Sequence, residues 1–237
     1  MKKFKLFACM FFVFCTAANV FAAGFDDIVN YVQQYQNSAD AFAKDFGCMM
    51  AGGAFHQGSN LGLPGFDVGI HMPMKKPNTD NLIVTKAGFE IMTLPWVQLE
   101  IGLPMKLDLI IRGFSGTGLS YSGFGVRYGI FKSKLPLVPS VSAAVLSSSF
   151  KHTDFEATTI SGNVVVSFKI PFLSPYISVG SDQTTAKFTA SGIEGKGSST
   201  RIEAGINMGL IPLTYLQVGG GIANGDMMYS GGFGLKF

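Results

Sequence analysis

Three histidines, His56, His71 and His152, are the first candidates for proton-transfer chemistry. A lipase-type site needs a histidine within reach of a serine and of an orienting polar group. Serines are spread along the chain, and no spacing ties one to a histidine, so the three read as polar lumen or loop residues. His71 is predicted to point into a lumen near long loops. No cluster of His, Cys, Asp and Glu has metal-ligand spacing. Gly219-Gly220-Gly221 lies in an alternating segment and reads as a strand bend, not a phosphate loop. These patterns predict no catalytic residue, no metal site and no cofactor.

The charged residues are more informative because most stand at every second position between apolar ones. Asp67, His71, Glu100, Asp108, Arg112, Arg127, Arg201, Glu203 and Lys236 all follow this rule. If alternate residues face a lumen, these nine line it. On the hairpin turning at Pro104-Met105, Glu100 is predicted opposite Ile110 and diagonal to Asp108 and Arg112, with Arg127 near Asp108. Asp67 and Lys236, near the ends of the first and last strands, are predicted to approach when the sheet closes. Such charges are either a selective pore lining or a network filling a narrow barrel. Barrels of eight strands are nearly filled by side chains and ten is only slightly wider, which favours the network.

The elements that would carry these residues begin at Phe66, where the hydrophobic period becomes 2. Phe66, Val68, Ile70, Met72 and Met74 alternate with Asp67, Gly69, His71 and Pro73. The same alternation recurs from Val97, Leu107, Phe124, Val141, Ile160, Ile202, Leu216 and Tyr229, with a weaker stretch over Tyr176 to Lys187. About ten strands of about ten residues result, the length a tilted strand needs to cross a bilayer. Pro104-Met105, Lys132 to Pro136, Ile170 to Pro175 and Ile211-Pro212 read as tight turns. Lys75 to Pro95, Ser147 to Asp154 and Thr189 to Thr200 read as longer loops. Two aromatic belts are expected: Tyr128, Phe131, Phe168, Phe172, Tyr176, Tyr215 and Phe237 near the turns, and Trp96, Phe114, Tyr121, Phe155 and Tyr229 near the loops.

Composition sets the environment. Charged residues make up only 14%, against 30 Gly and 22 Phe; a soluble domain carries about 25% charge. Lys2, Lys3 and Lys5, an apolar run from Leu6 to Cys15, and Val20-Phe21-Ala22 read as a signal peptide over 1–22. Removing those three lysines from 18 basic residues leaves 15 against 15 acids, so the net charge of +3 belongs to the signal and nothing suggests nucleic acid. Cys9 and Cys15 leave with it, so Cys48 is predicted as a small packed residue with no disulfide partner. No later run has the roughly 18 apolar residues of a membrane helix. A membrane location therefore demands a closed barrel, which alone satisfies strand backbones in lipid. A soluble sandwich would expose large apolar patches on nearly every strand.

Residues 23–61 form an N-terminal helical and Gly-rich segment, and 62–237 the barrel. Ile28, Val29, Val32 and Tyr35 recur at helical spacing across Ala23 to Phe46, and Ser38 is placed to cap a second short helix carrying Phe42 and Phe46. Met49 to Gly62 reads as irregular. The amphipathic stripe needs a partner, and a lumen polar in its middle favours the mouth or rim over deep insertion.

Tyr229, Phe233, Leu235 and Phe237 resemble the strand read by the barrel-assembly machinery of Gram-negative bacteria. The chain as a whole resembles a family of uncharacterised bacterial outer-membrane barrels, distantly similar to long-chain fatty acid transporters. The resemblance is carried by Gly65-Phe66-Asp67-Val68-Gly69, Leu94 to Arg112 with its Gly102-Leu103-Pro104 turn, Gly123 to Tyr128, and Pro175-Tyr176-Ile177-Ser178-Val179-Gly180. It departs from the family at Lys106-Leu107, where members often carry a Gly. The resulting expectation is an all-β, transmembrane antiparallel up-and-down barrel of about 10 strands (range 8–12). Its place is the bacterial outer membrane, its partners outer-membrane lipids and the assembly machinery. The expected function is a small channel or transporter for a small or apolar solute; the alternative is a structural or surface-interaction barrel with an occluded lumen.

Overall fold

The computed structural model describes residues 28, 30–53, 55–116, 118–133, 135, 137–209 and 211–237. The signal-peptide reading of 1–22, the residues 23–27 and Val29 lie outside them.

The barrel is built from β1 (Phe66–Lys75), β2 (Met92–Thr93), β3 (Trp96–Gly102), β4 (Leu107–Gly116), β5 (Leu119–Phe131), β6 (Ser140–His152), β7 (Phe155–Ser167), β8 (Leu173–Phe188), β9 (Glu194–Met208), β10 (Thr214–Ala223) and β11 (Asp226–Lys236). β2 is a two-residue extension paired to the end of β1, so ten strands form the wall. From β3 onward each strand pairs antiparallel with the next, β1 joins β3, and β11 returns to β1. Asp67 lies opposite Lys236 and Met74 opposite Tyr229 across that seam. Phe237 finishes it: its N–H donates to the Phe66 carbonyl at 2.8 Å, the reverse bond spans 3.2 Å, and the two rings stack at 4.6 Å. Closure gives each of the ten wall strands a partner on both sides, which is what lipid requires.

The outer face has two zones. Near the closing end, where Phe66 and Phe237 meet, it is apolar, with Phe124, Val145, Val164, Ile177, Val179 and Ile206 exposed. Farther along β5 to β9 the outward positions become polar: Ser120, Ser122, Lys151, Glu156, Gln183, Lys187, Lys196 and Ser198. These five strands have 13 to 16 residues, so their hairpins rise beyond the apolar band. Among the described residues no helix is long and apolar enough to cross a membrane.

Several expectations are corrected here. The stretches Ser147 to Asp154 and Thr189 to Thr200 are mostly strand, with residues 153–154 and 189–193 as the connections. Ser and Thr mark a wet outer face there, while Phe150, Phe155, Ala157, Ala186 and Phe188 keep the period of 2 on the buried face. Conversely, the connection predicted as tight at Lys132 to Pro136 is longer, since β5 ends at Phe131 and β6 begins only at Ser140. Trp96, Tyr121, Phe155, Tyr176 and Tyr215 do not form belts, because strand parity turns them inward and buries them. Tyr128, Phe131, Phe172, Phe237 and Tyr229 remain outward.

Helix α1 (Ala39–Ala51) extends beyond the predicted end at Phe46. A 3-10 turn, Gln36–Ser38, precedes it, and Ser38 occupies the N-cap without a side-chain capping bond. Residues 30–34 are helical, and Ile28 and Val32 are buried. A second helix, α2 (Leu82–Lys86), sits in the long connection after β1 and is capped by Asn81, whose side chain accepts from Val84 N–H.

Candidate functional site: a threaded lumen

The N-terminal segment runs through the barrel. At the hairpin end Phe42 packs on Phe155 and Phe188, with ring centroids 5.3 and 5.2 Å apart, and Phe46 on Phe150 at 4.8 Å. A Cβ on Gly195 would stand 2.1 Å from the Ala39 carbonyl oxygen, so only glycine lets the helix lie this close to β9. Beyond α1 the chain descends past Tyr121 and His71, and reaches the closing end at Gly62, against Gly102.

This descent overturns the expectation that a polar lumen would keep the segment at a mouth or rim. Coil backbone in a barrel needs partners for its own N–H and C=O groups, and the polar wall supplies them. Tyr121 donates to Met50 O at 2.7 Å, and Arg112 Nη1 to the same oxygen at 3.4 Å, placing a cation at the C-terminus of α1. Asn207 Nδ2 donates to His56 O at 2.7 Å, and Lys132 Nζ to Asn60 O at 2.7 Å. Gly58 N–H donates to Ser167 Oγ at 2.8 Å, and Leu61 N–H to both oxygens of Asp108 at 2.9 and 3.0 Å.

The nine charged and histidine positions face inward. On the β3–β5 wall, Glu100 pairs with Ile110 and Asp108 with Arg127 in register. Arg127 Nη2 lies 2.6 Å from Glu100 Oε2 and 2.8 Å from Asp108 Oδ2. Arg112 is not part of that ion cluster. Its Nε donates to Gln98 Oε1 at 2.7 Å, and its guanidinium lies over Phe55 and Trp96, 5.0 and 5.2 Å from the ring centroids. On the opposite wall Arg201 grips Asp182 at 2.7 and 2.9 Å and Asn163 Oδ1 at 2.8 Å. Glu203 accepts from Tyr176 at 2.8 Å and from Ser230.

Asp67 and Lys236 are neighbours, yet their bonds point elsewhere. Asp67 accepts from Tyr215 at 2.9 Å and Lys236 donates to Gln57 of the thread. His71 stands in mid-strand, not near the loops, with its ring 5.1 Å from His56 and its Nε2 3.3 Å from Tyr215 Oη. Cys48 is buried, with Asn224 Nδ2 at 3.4 Å from its sulfur.

Sequence reasoning missed a third cluster, which fastens α1. Lys75 Nζ donates to Asp45 Oδ1 at 2.7 Å; Asp45 Oδ2 accepts from Asn78 N–H at 2.8 Å and Asn81 Nδ2 at 2.9 Å. Asp45, Lys75 and Asn81 are fully buried. Lys75 and Asp182 each continue the inward parity of their strands, which was the signal available for them. Asp45 carries no such signal, because its partner lies across the fold. At the closing end a cavity of about 580 Å³ remains, bordered by His56, Lys132, Lys169, Asn207 and Lys236. Among the described residues no group of three or more His, Cys, Asp or Glu is placed to hold a metal ion.

Fold and lumen together define a closed antiparallel β-barrel of ten strands, stoppered by its own N-terminal segment. The family of unknown function DUF6588 matches residues 74–207, more than half of the chain, and the protein belongs to it. No curated protein matches the chain. Among solved structures, an outer membrane channel from Pseudomonas putida F1 is similar with 9% identity and a TM-score of 0.49, over 78% of this chain and 98% of that one. The β domain of the Bordetella autotransporter BrkA gives 12% and 0.40, over 73% and 99%. The N-terminal β-barrel domain of Pseudomonas aeruginosa OprF gives 14% and 0.36, over 74% and 99%.

Proposed function

We propose that this protein is a closed outer-membrane barrel that acts as a surface scaffold and does not conduct in its resting state. The observation that carries this reading is the thread itself: residues 39–53 and 55–62 occupy the lumen from the hairpin end to the closing end and bond to the wall along their length. The Arg127 and Arg201 clusters fill the space beside it. The polar hairpins of β5 to β9 face outward from the cell, as the taller end of such barrels does. They and the start of the thread then form the surface presented to partners.

A second reading is gated passage of a small solute, and the cavity at the closing end favours it. The resemblance to long-chain fatty acid transporters would make that solute apolar. Planar-bilayer recordings separate the two. The mature protein should stay near background, and steady discrete openings would overturn the closed reading. A variant lacking residues 24–46 should also stay near background, because the lower thread and the Arg127 cluster still fill the lumen. Channel steps in that variant alone would support gated passage.

A further inference from the structure

We propose that the cavity at the closing end binds a small hydroxylated organic acid, such as a sugar acid. Its lining contains three lysines, Lys132, Lys169 and Lys236, and no aspartate or glutamate. Lys169 is exposed, so its ammonium is available to a ligand. Lys132 and Lys236 donate their hydrogen bonds to neutral oxygens: the carbonyls of Asn60 and Leu61, at 2.7 and 3.2 Å, for Lys132, and the Gln57 amide for Lys236, whose neighbour Asp67 accepts from Tyr215 instead. A cation held by neutral acceptors gains more from a carboxylate, because charge-assisted bonds are about twice as strong.

His56 and Asn207 add polar groups to the lining. Asn207 Nδ2 donates to the His56 carbonyl, which turns the amide oxygen Oδ1 toward His56 Nδ1 at 2.8 Å. Nδ1 therefore carries the proton, and Nε2 presents a lone pair. Nε2 is buried with no partner in the protein. Ser140 and Ser167 give the same wall hydroxyl groups, and Phe168 offers an apolar face beside them. At about 580 Å³ the cavity lies in the usual range for small-molecule sites. The inference is independent of whether the barrel ever opens, since the cavity is reached from the closing end.

The test is calorimetric titration of the detergent-solubilised mature protein with sodium galacturonate, with galactose and acetate as controls. Galacturonate should bind saturably, and each control at least about tenfold more weakly, since each lacks one half of the recognised chemistry. Lys132→Gln and Lys169→Gln should each weaken galacturonate by about tenfold while the barrel keeps its heat-modifiable mobility. If Lys132→Gln does not fold, the exposed Lys169→Gln decides. Absence of saturable galacturonate binding, equal binding of galactose, or full affinity in the folded lysine variants would each overturn the proposal.

Discussion

Asp45 should act as the lock of the thread, and Asp45→Asn should release α1 without dismantling the barrel. Asp45 and Lys75 have side chains 1% and 0% exposed and approach to 2.7 Å, so water screens them little. Removing one partner of a buried pair costs about 3–5 kcal/mol, chiefly because the other charge is left uncompensated. Here Lys75 keeps the Lys76 carbonyl at 2.9 Å and Asp226 at 3.4 Å, which places the effect near the lower end, about 3 kcal/mol. That penalty falls on the docked helix and not on the closed ladder of strands, so the undocked population should rise about 100-fold. Cys48 reports it. Burial pushes its thiol up to about 12, so the docked form is inert to maleimide both by access and by protonation. With docking fast relative to modification, the labelling rate follows the open fraction and should rise about 100-fold in Asp45→Asn. Lys187→Gln, which loses only a contact to Glu194 on the exposed outer face, should leave it unchanged. Equal labelling of Asp45→Asn and the parent protein would refute the lock.

The same geometry gives three further expectations. Deleting Phe237 removes both backbone bonds to Phe66 and the ring stack on it, and should lower the heat-modifiable, protease-resistant fraction in membranes; undiminished assembly would reject the recognition role of this strand. Gly58→Val would place a Cβ 2.2 Å from the Ser140 carbonyl oxygen, a backbone atom that cannot step aside, so thermal stability should fall by about 1–3 kcal/mol, as overpacking does; an unshifted melting profile would mean the thread is not seated there. Asn30 is exposed on the segment leading into α1 at the hairpin end, so Asn30→Cys should react with a membrane-impermeant maleimide on intact cells; labelling only after lysis would reverse the assigned orientation.

Alternation made the wall legible because a strand has only two faces. Once Phe66 is outside, Asp67, His71 and Lys75 must be inside, and the first-to-last pairing of Asp67 with Lys236 follows from closure. The same rule governs the aromatics, and closeness to a turn does not override it. Tyr176 lies close to a turn, yet its pairing with Gly205 and Ser167 and its burial put it on the inner face. Composition alone points to loops in the Ser- and Thr-rich stretches, whereas the period of 2 runs on through them. Yet a strand rising beyond the apolar band needs polar residues on its wet side and apolar ones only on the side that meets α1.

The thread was the least legible feature, and the reason is chemical. A charged lumen looks hostile to an inserted segment if only hydrophobic matching is considered. Residues 52–62 are not inserted for their apolar surface. They are Gly-rich coil whose unpaired backbone groups need donors and acceptors, and those needs leave no periodic trace in the sequence. The wall's polar side chains meet them: Asp108 takes the Leu61 N–H while also holding Arg127. One carboxylate thus serves the wall and the thread together. It follows that Asp108 cannot be read as pore lining or as wall structure alone. Replacing it with Ser would free both Arg127 and Leu61, so the loss should exceed that of severing either contact separately.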